Sequence, residues 1–321
     1  MSDIKLFSQS GEVFTELAGS IATLESNLQK QIESNMQTFL GVQFLASEYD
    51  TGKTHKGRID SLGLDENGCP VIIEYKRSKN QNVINQGLFY LDWLLDHQAE
   101  FQLLVMKHLG NDVAETIEWS GTRLICIAAD FNKYDEHAVQ QINRNIELMR
   151  YRYFGNDLLL LELVNAQSAT HQTKAQALTQ QAAVNLPESS VKNLTSGKKN
   201  GTDKTQAERL AGAPPNLAAL FEELCGFTDQ LGDEVQRKDL KLYTAFKRIK
   251  NFVSIVIMSG KKDPKLQVYL KLPREVAVND DLCRDMTGVG HWGTGDIEVN
   301  IRSAEDLEKA KPLICQSYEV S

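Results

Sequence analysis

Two carboxylates and a lysine lie close together in the sequence and could act in one reaction. Asp60 closes the segment Gly57–Asp60 and, after thirteen intervening residues, Glu74 and Lys76 flank Tyr75. In an extended strand Glu74 and Lys76 point to the same face, because side chains alternate between faces. Adjacent carboxylates repel each other unless a cation neutralises them. The spacing therefore predicts a Mg²⁺ or Mn²⁺ site at which the lysine orients water or stabilises charge on a phosphate.

A β-hairpin is the element that must bring these groups together. Arg58–Leu64 and Val71–Tyr75 have strand character, and the turn Asp65–Gly68 joins them. If the two strands pair as a hairpin, Asp60 lies beside Glu74. The carboxylates and the lysine then meet at the end of strands that are otherwise rich in valine, isoleucine and leucine.

The surrounding sequence alternates helical and extended patterns. Apolar residues recur every three or four positions from Glu12 to Leu40, which predicts one or two amphipathic helices. This order predicts an α/β domain in residues 1–165, with a mixed sheet flanked by helices. The other predicted segments are helices at Val83–Leu109 and Glu136–Asn145, strands at Val42–Ala46 and Arg123–Ala129, and a second hairpin formed by Glu147–Phe154 and Leu158–Val164.

The motifs G-R-I-D, I-E-Y-K and Q-G-L-F-Y resemble those of a known enzyme family. They end at Asp60, Lys76 and Tyr90, and they are similar to the D…(D/E)-x-K signature of the PD-(D/E)xK, or restriction-endonuclease-like, nucleases. More narrowly, the series resembles the nuclease domain of the NucS-type endonucleases. The resemblance covers about residues 24–164 and lacks the N-terminal DNA-binding domain of those enzymes. It implies a restriction-endonuclease-like sheet.

The resemblance also implies a function and roles for the motif residues. Asp60 and Glu74 would bind Mg²⁺ or Mn²⁺, the Tyr75 carbonyl would complete the metal shell, and Lys76 would assist the attacking water. The implied activity is hydrolysis of DNA phosphodiester bonds in repair or defence. Two other functions stay open on the same fold: a catalytically silent nucleic-acid-binding module and a protein-interaction module.

Further site residues follow from the same resemblance. Gln86 and Tyr90 would line the site from the next helix, and their spacing of four puts both on one helix face. The family also places a glutamate of the first helix toward the metal. Glu33 is the first candidate for this position, and Glu25 is the second.

The composition changes after residue 165. Residues 166–215 are rich in Gln, Ala, Ser, Thr and Lys and contain no aromatic residue, which predicts a flexible linker. Residues 216–321 predict a smaller α+β domain whose last helix starts with a capping box at Ser303. Through Lys241–Tyr243 and Val268–Leu270 this part resembles a small uncharacterised domain that often follows nuclease-like domains. It is expected to bind substrate, a second copy of the chain or another protein.

Basic residues near the predicted site and in the C-terminal part are candidates for contacts with nucleic acid. In both places an ordinary solvated surface accounts for them equally well, and in the C-terminal part Tyr243 and Phe246 would then be core residues. The candidates are Arg58, Arg77, Lys79, Lys247, Arg248 and Lys250.

Charge and cysteine usage exclude several classes of protein. The net charge is −8, with 14 basic and 23 acidic residues in 1–165, which argues against a basic DNA-coating protein. The five cysteines form no C-x-x-C pair, which argues against a disulfide framework or a thiolate metal site. Neither a signal peptide nor a membrane span is predicted, and a cytoplasmic protein is expected. Gly52–Thr54 resembles the end of a P-loop, but Ser47 stands where that motif needs glycine.

Overall fold

Strands made almost entirely of apolar residues form the centre of the N-terminal half. The computed structural model describes residues 4–77, 82–168, 204–260, 262–278, 282–289 and 293–321. The strands of this half are β1 (Leu6–Ser10), β2 (Val13–Leu17), β3 (Gly19–Ser20), β4 (Val42–Asp50), β5 (Arg58–Asp65), β6 (Pro70–Lys76), β7 (Arg123–Ala128), β8 (Asn145–Phe154) and β9 (Leu158–Gln167).

Seven of these strands form one mixed sheet. Its order is β3–β8–β7–β6–β5–β4, and β9 also pairs with β8. The β6–β7 and β7–β8 pairs are parallel, and the other pairs are antiparallel. The predicted β5–β6 hairpin is confirmed, with Ser61 opposite Ile73. β1 and β2 form a separate two-stranded sheet.

Helices cover both faces of the mixed sheet. Leu28 and Ile32 of the first helix pack with Ile73 and Tyr75 on one face, and the long helices after the hairpin pack on the other face, where Ile72 points. This confirms the predicted α/β fold class. The helices are α1 (Glu25–Ser34), α2 (Met36–Leu40), α3 (Gly52–His55), α4 (Asn82–Asp96), α5 (Gln98–Leu109), α6 (Asn111–Glu115) and α7 (Lys133–Gln140).

The predicted helix from Glu12 to Leu40 is wrong in its first half. That part forms β2 and β3, and α1 begins only at Glu25. Gly11, at φ 63°, supplies the left-handed backbone that closes the β1–β2 turn. The spacing of Phe14, Leu17 and Ile21 matched a helical period, yet their side chains are not buried in the core.

The C-terminal half forms an antiparallel six-stranded sheet, which matches the predicted α+β class. The elements are β10 (Gln236–Asp239), β11 (Thr244–Lys247), β12 (Asn251–Met258), β13 (Lys265–Leu270), β14 (Cys283–Asp285) and β15 (Ile297–Ile301), with α8 (Gln206–Ala211), α9 (Pro215–Asp229), α10 (Glu275–Val278) and α11 (Ala304–Glu319). The strand order is β10–β11–β12–β13–β15–β14, and the helices α9 and α11 form one apolar core with this sheet. The predicted capping box of Ser303 with Asp306 is present.

The predicted linker 166–215 is partly folded. β9 extends to Gln167, and α8 occupies residues 206–211, while residues 169–203 lie outside the described part of the chain. Gln206 is buried, and its side-chain amide donates to the Ile255 carbonyl at 3.0 Å and accepts from the Ile257 amide at 3.2 Å. A polar side chain anchors α8 to the sheet, so a search for apolar periodicity misses this helix.

The two sheets contact each other at the turn end of the β5–β6 hairpin. Tyr243 donates its hydroxyl to the Asn67 side chain at 2.9 Å, and Asn251 donates to the same oxygen at 2.6 Å. Lys247 is buried and donates to Glu147 at 2.7 Å. In the described residues, no helix combines the length and the apolar character needed to span a bilayer.

Candidate active site

The β5–β6 hairpin places the two predicted carboxylates side by side. The Asp60 amide donates to Glu74 Oε1 at 3.2 Å, and the Tyr75 amide donates to Asp60 Oδ2 at 3.0 Å. The predicted juxtaposition is therefore present, and Tyr75, whose carbonyl was predicted as a metal ligand, holds Asp60 through its backbone amide.

Burial raises the pKa of both carboxyl groups of this pair. Glu74 is 0% exposed, and burial, reinforced by the charge of Asp60, raises its pKa to about 9. Burial likewise raises the pKa of Asp60 to about 6, although the hydrogen bond from Tyr75 opposes the shift. Glu74 Oε2 is buried and has no hydrogen-bond partner among the described residues. Such an oxygen is costly unless a proton or a cation neutralises it.

A divalent cation fits the chemistry of this pair. Asp60 and Glu74 offer hard oxygen donors of the kind that Mg²⁺ and Mn²⁺ prefer, and Mg²⁺ sites often combine one or two carboxylates with water. No cluster of three or more His, Cys, Asp or Glu side chains suited to a metal occurs in the described residues. The protein side chains would thus supply two ligands, and water or backbone oxygens would supply the rest.

Lys76 lies at the end of β6 and is held by the first helix. Its Nζ donates to Glu25 Oε1 at 3.1 Å, and the Arg77 amide donates to Glu25 Oε2 at 3.0 Å. Burial lowers the pKa of Lys76, but Glu25 outweighs this effect and raises the pKa above its ordinary value. Lys76 is thus a fixed cation within electrostatic reach of Asp60 and Glu74.

Glu33, the first candidate for the helix glutamate, is not beside the carboxylate pair. It accepts from Ser61 Oγ at 2.7 Å and from Gln29 Nε2 at 3.1 Å. Ser61 also contacts the Tyr75 hydroxyl at 3.1 Å, on the sheet face opposite to Asp60 and Glu74. Glu33 therefore lies on the face opposite to the carboxylate pair, and Glu25, the second candidate, is the glutamate of α1 next to Lys76.

A cleft of about 810 Å³ opens beside Asp60. Gln86 and Tyr90 of α4 line it, as predicted from their spacing. The Tyr90 hydroxyl accepts from the Arg58 amide at 3.1 Å. A Cβ atom at Gly57 would lie 2.5 Å from the Tyr90 ring, so only glycine allows this close approach. The cleft is lined by Glu48, Asp50, Gly52, Lys53, Lys56, Gly57, Arg58, Asp60, Gln86 and Tyr90.

Sequence reasoning missed Glu48 as part of this cleft. Ser47 and Tyr49 of β4 pair with Ser61 and Ile59 of β5, which brings Glu48 near Asp60. The backbone φ of Glu48 is 52°, a value that few non-glycine residues adopt. Its carboxylate accepts from Gln29 Nε2 at 3.2 Å and from Arg58 Nη1 at 3.3 Å, and its charge acts on Asp60. Because the positive φ of Glu48 interrupts the regular strand, no periodic pattern in the sequence predicts where this side chain lies.

Lys53 and Lys56 are two cationic cleft residues that sequence reasoning also missed. Both are exposed, and both stand in the loop that leads from β4 to Asp60. The signal was present as three cations within residues 53–58, in an otherwise acidic half of the chain.

The predicted nucleic-acid contacts near the cleft have different surroundings. Arg58 is exposed in the cleft and pairs with Glu48. Arg77 donates to the Thr23 carbonyl at 2.9 Å, and Lys79 lies outside the described residues.

Of the C-terminal residues predicted to contact nucleic acid, Lys247 is buried and cannot do so, while Arg248 and Lys250 have partners within the protein. Lys247 is buried against Glu147, Arg248 pairs with Glu234 at 3.0 Å, and Lys250 donates to the Thr38 carbonyl at 2.9 Å. Two of these three cations, Lys247 and Lys250, hold the domains together, because their partners belong to the N-terminal half.

Comparisons with known proteins give one family and three relatives. Residues 207–321 match the Domain of unknown function DUF5655. This confirms the resemblance of the C-terminal part to a small uncharacterised domain. An uncharacterized protein of Haemophilus influenzae is 28% identical over 325 residues, covering 98% of this chain and 100% of that protein.

Two solved structures show limited similarity to the chain. A repair endonuclease from Pyrococcus abyssi is 18% identical over 41% of this chain and 48% of its own, with a TM-score of 0.28. A structure of an EndoMS–dsDNA2 complex is 15% identical over 44% of this chain and 49% of its own, with a TM-score of 0.27. The chain thus spans about half the length of each of these structures.

Proposed function

We propose that this protein is a divalent-metal-dependent nuclease that hydrolyses phosphodiester bonds of DNA. The observation that supports this most is the buried oxygen Glu74 Oε2, which lacks a partner among the described residues while the Asp60 amide donates to Oε1 of the same carboxylate. A purely structural carboxylate pair would gain from a hydrogen bond at this atom. A cation-binding pair needs the atom free.

Each residue of the site has a role in this proposal. Asp60 and Glu74 hold Mg²⁺ or Mn²⁺, with the Tyr75 carbonyl as the predicted backbone ligand. The bound ion lowers the pKa of water and neutralises charge on the phosphate. Lys76, fixed by Glu25, adds a positive charge beside the attacking water and the developing phosphate charge.

Gln86 and Tyr90 give the cleft its second wall. Gln86 contributes an amide that both donates and accepts, which suits a water or a phosphate oxygen. Tyr90 is only 6% exposed and is fixed by the Arg58 amide, so its role is to position the loop that carries Asp60. The role of the C-terminal domain in binding substrate or a partner stays a prediction.

Calorimetric titration with Mn²⁺ tests the proposal at its first step. Asp60→Asn and Glu74→Gln should each abolish binding, because each removes half of the side-chain ligands. Glu33→Gln is the matched control, since Glu33 belongs to the same domain but lies on the opposite sheet face. Equal binding by all the variants would overturn the metal site.

A cleavage assay with single-stranded, double-stranded, branched and mismatched DNA tests the second step. The wild type with Mn²⁺ should cut at least one of these substrates, and Glu74→Gln should cut none. Metal binding without cleavage of any substrate would overturn the nuclease proposal in favour of a silent binding module.

A further inference from the structure

The loop between β4 and β5 is built as a rigid element. Thr51 Oγ1 accepts from the Gly57 amide at 2.9 Å and donates to the Gly57 carbonyl at 3.0 Å, which ties the two ends together. Asp50 Oδ1 accepts from the Gly52 amide at 2.6 Å at the start of α3. The backbone of Lys56, at φ 50°, completes the turn and donates to the Gly52 carbonyl at 2.9 Å.

The same loop is fixed to α4 from the other side. The His55 ring lies 5.3 Å from the Phe89 ring and 5.6 Å from the His97 ring, measured between centroids. Gly57 packs against Tyr90 so closely that no side chain fits between them. The loop is therefore held at its closing turn and at α4. Lys53 and Lys56 thus stand on a backbone whose position is fixed.

The charges facing the cleft leave two cations unmatched. Asp60 belongs to the carboxylate pair, Glu48 pairs with Arg58, and Asp50 caps the loop amide. Lys53 and Lys56 are exposed in the cleft, and no carboxylate pairs with either one within the part of the chain that the structure describes. Two lysines without partners on a rigid support form a site for anionic oxygens.

We propose that Lys53 and Lys56 form a clamp for the DNA backbone, binding the phosphates that flank the bond cleaved at Asp60. The inference rests on the proposed function, because it takes the cleft to be the place where DNA is cut. The clamp gives affinity without sequence preference, since phosphate contacts carry no base information. It also lets an acidic domain bind DNA through a local cationic strip.

The salt dependence of DNA binding tests the clamp independently of cleavage. Fluorescence anisotropy of a labelled 30-nucleotide DNA, single-stranded or duplex, would be measured between 50 and 200 mM salt without divalent metal, so that nothing is cut. Each phosphate contact contributes about 0.9 to the slope of log K against log salt for duplex and about 0.7 for a single strand. Lys53→Gln/Lys56→Gln should reduce the slope by about 1.8 or 1.4 respectively.

A matched double variant controls for total charge. Lys30→Gln/Lys107→Gln removes two exposed lysines of the same domain that do not line the cleft, and it should keep the wild-type slope. Raising the salt from 50 to 200 mM weakens binding of duplex DNA by both double variants. The fold-loss of affinity should be about ten times smaller for Lys53→Gln/Lys56→Gln than for this control. Circular dichroism should show that both variants are folded.

The possible results separate the clamp from the nuclease proposal. Equal slopes in the two double variants, or no DNA binding by the wild type, would overturn the clamp. The Mn²⁺ titration of Asp60 and Glu74 is unaffected by either result. A reduced slope in a protein that cuts no DNA would support phosphate binding by the two lysines. It would overturn the nuclease activity and, with it, the assignment of these phosphates to a cleaved bond.

Discussion

Glu147, in the buried ion network between the two sheets, should make the stability of the protein depend on pH in the acid range. Glu147 accepts from Arg123 Nη1 at 2.7 and 2.8 Å and from Lys247 Nζ at 2.7 Å. Burial acts to raise the pKa of Glu147, but these two cations outweigh it and lower the pKa to about 2 from an ordinary 4.5. A depressed carboxyl pKa adds stability above pH 4.5, and this contribution is lost as the pH falls toward 2.

The contribution of Glu147 to stability follows from its lowered pKa. The pKa lies about 2.5 below the ordinary value, which corresponds to about 3 kcal/mol at about 1.4 kcal/mol for each tenfold change in proton affinity. Breaking a buried ion pair by removing one partner costs about 3–5 kcal/mol, which is the same range. Glu147→Gln should therefore lower the free energy of unfolding by about 3 kcal/mol at pH 7. Between pH 4.5 and pH 3, the free energy of unfolding should also fall less in this variant than in the wild type.

Urea unfolding at pH 7 and pH 3 measures both effects. Glu12→Gln is the control, because Glu12 is an exposed residue at the β1–β2 turn. Glu147→Gln/Lys247→Met should be more stable than Glu147→Gln alone, since it removes a buried charge left without its partner, while Arg123 keeps Asp65 at 3.1 Å. Wild-type stability of Glu147→Gln at pH 7 would refute the reasoning.

Three other substitutions test the site and the fold. Lys76→Met should reduce Mn²⁺-dependent DNA cleavage by about 10²–10³-fold with Mn²⁺ affinity retained in calorimetry, and full activity would contradict its role. Gly57→Ala should lower the melting temperature and displace Tyr90, which quenching of tyrosine fluorescence would detect, because the new Cβ would lie 2.5 Å from that ring. Ser303→Ala should cost about 1 kcal/mol in urea unfolding by removing the hydroxyl that accepts from the Asp306 amide, and no loss would contradict the cap.

The carboxylate pair was predictable because its geometry is local. The turn Asp65–Gly68 and the alternation of strand residues fix how β5 and β6 pair, so Asp60 must lie beside Glu74. Gln86 and Tyr90 were predictable for the same reason, since helical spacing alone puts them on one face. Their roles with metal and DNA stay predictions.

The errors come from contacts between distant parts of the chain. Glu25 and Glu33 lie on the same helix, and only its packing on the sheet decides that Glu25 reaches Lys76. Lys247 looked like a surface cation because its partner, Glu147, is 100 residues away. Periodicity carries no information about such pairs.

The position of the C-terminal domain sets its distance from the carboxylate pair. It contacts the turn at Asn67 and Cys69, whereas the carboxylate pair and Lys76 occupy the opposite end of β6. Cys69 and Tyr75 are six residues apart, and a strand rises about 3.3 Å per residue, so the separation is about 20 Å. A DNA duplex rises about 3.4 Å per base pair. A proposed duplex substrate running along β6 would thus need about six base pairs beyond the cut before it meets this domain, which sets a minimum length for any oligonucleotide used to probe it.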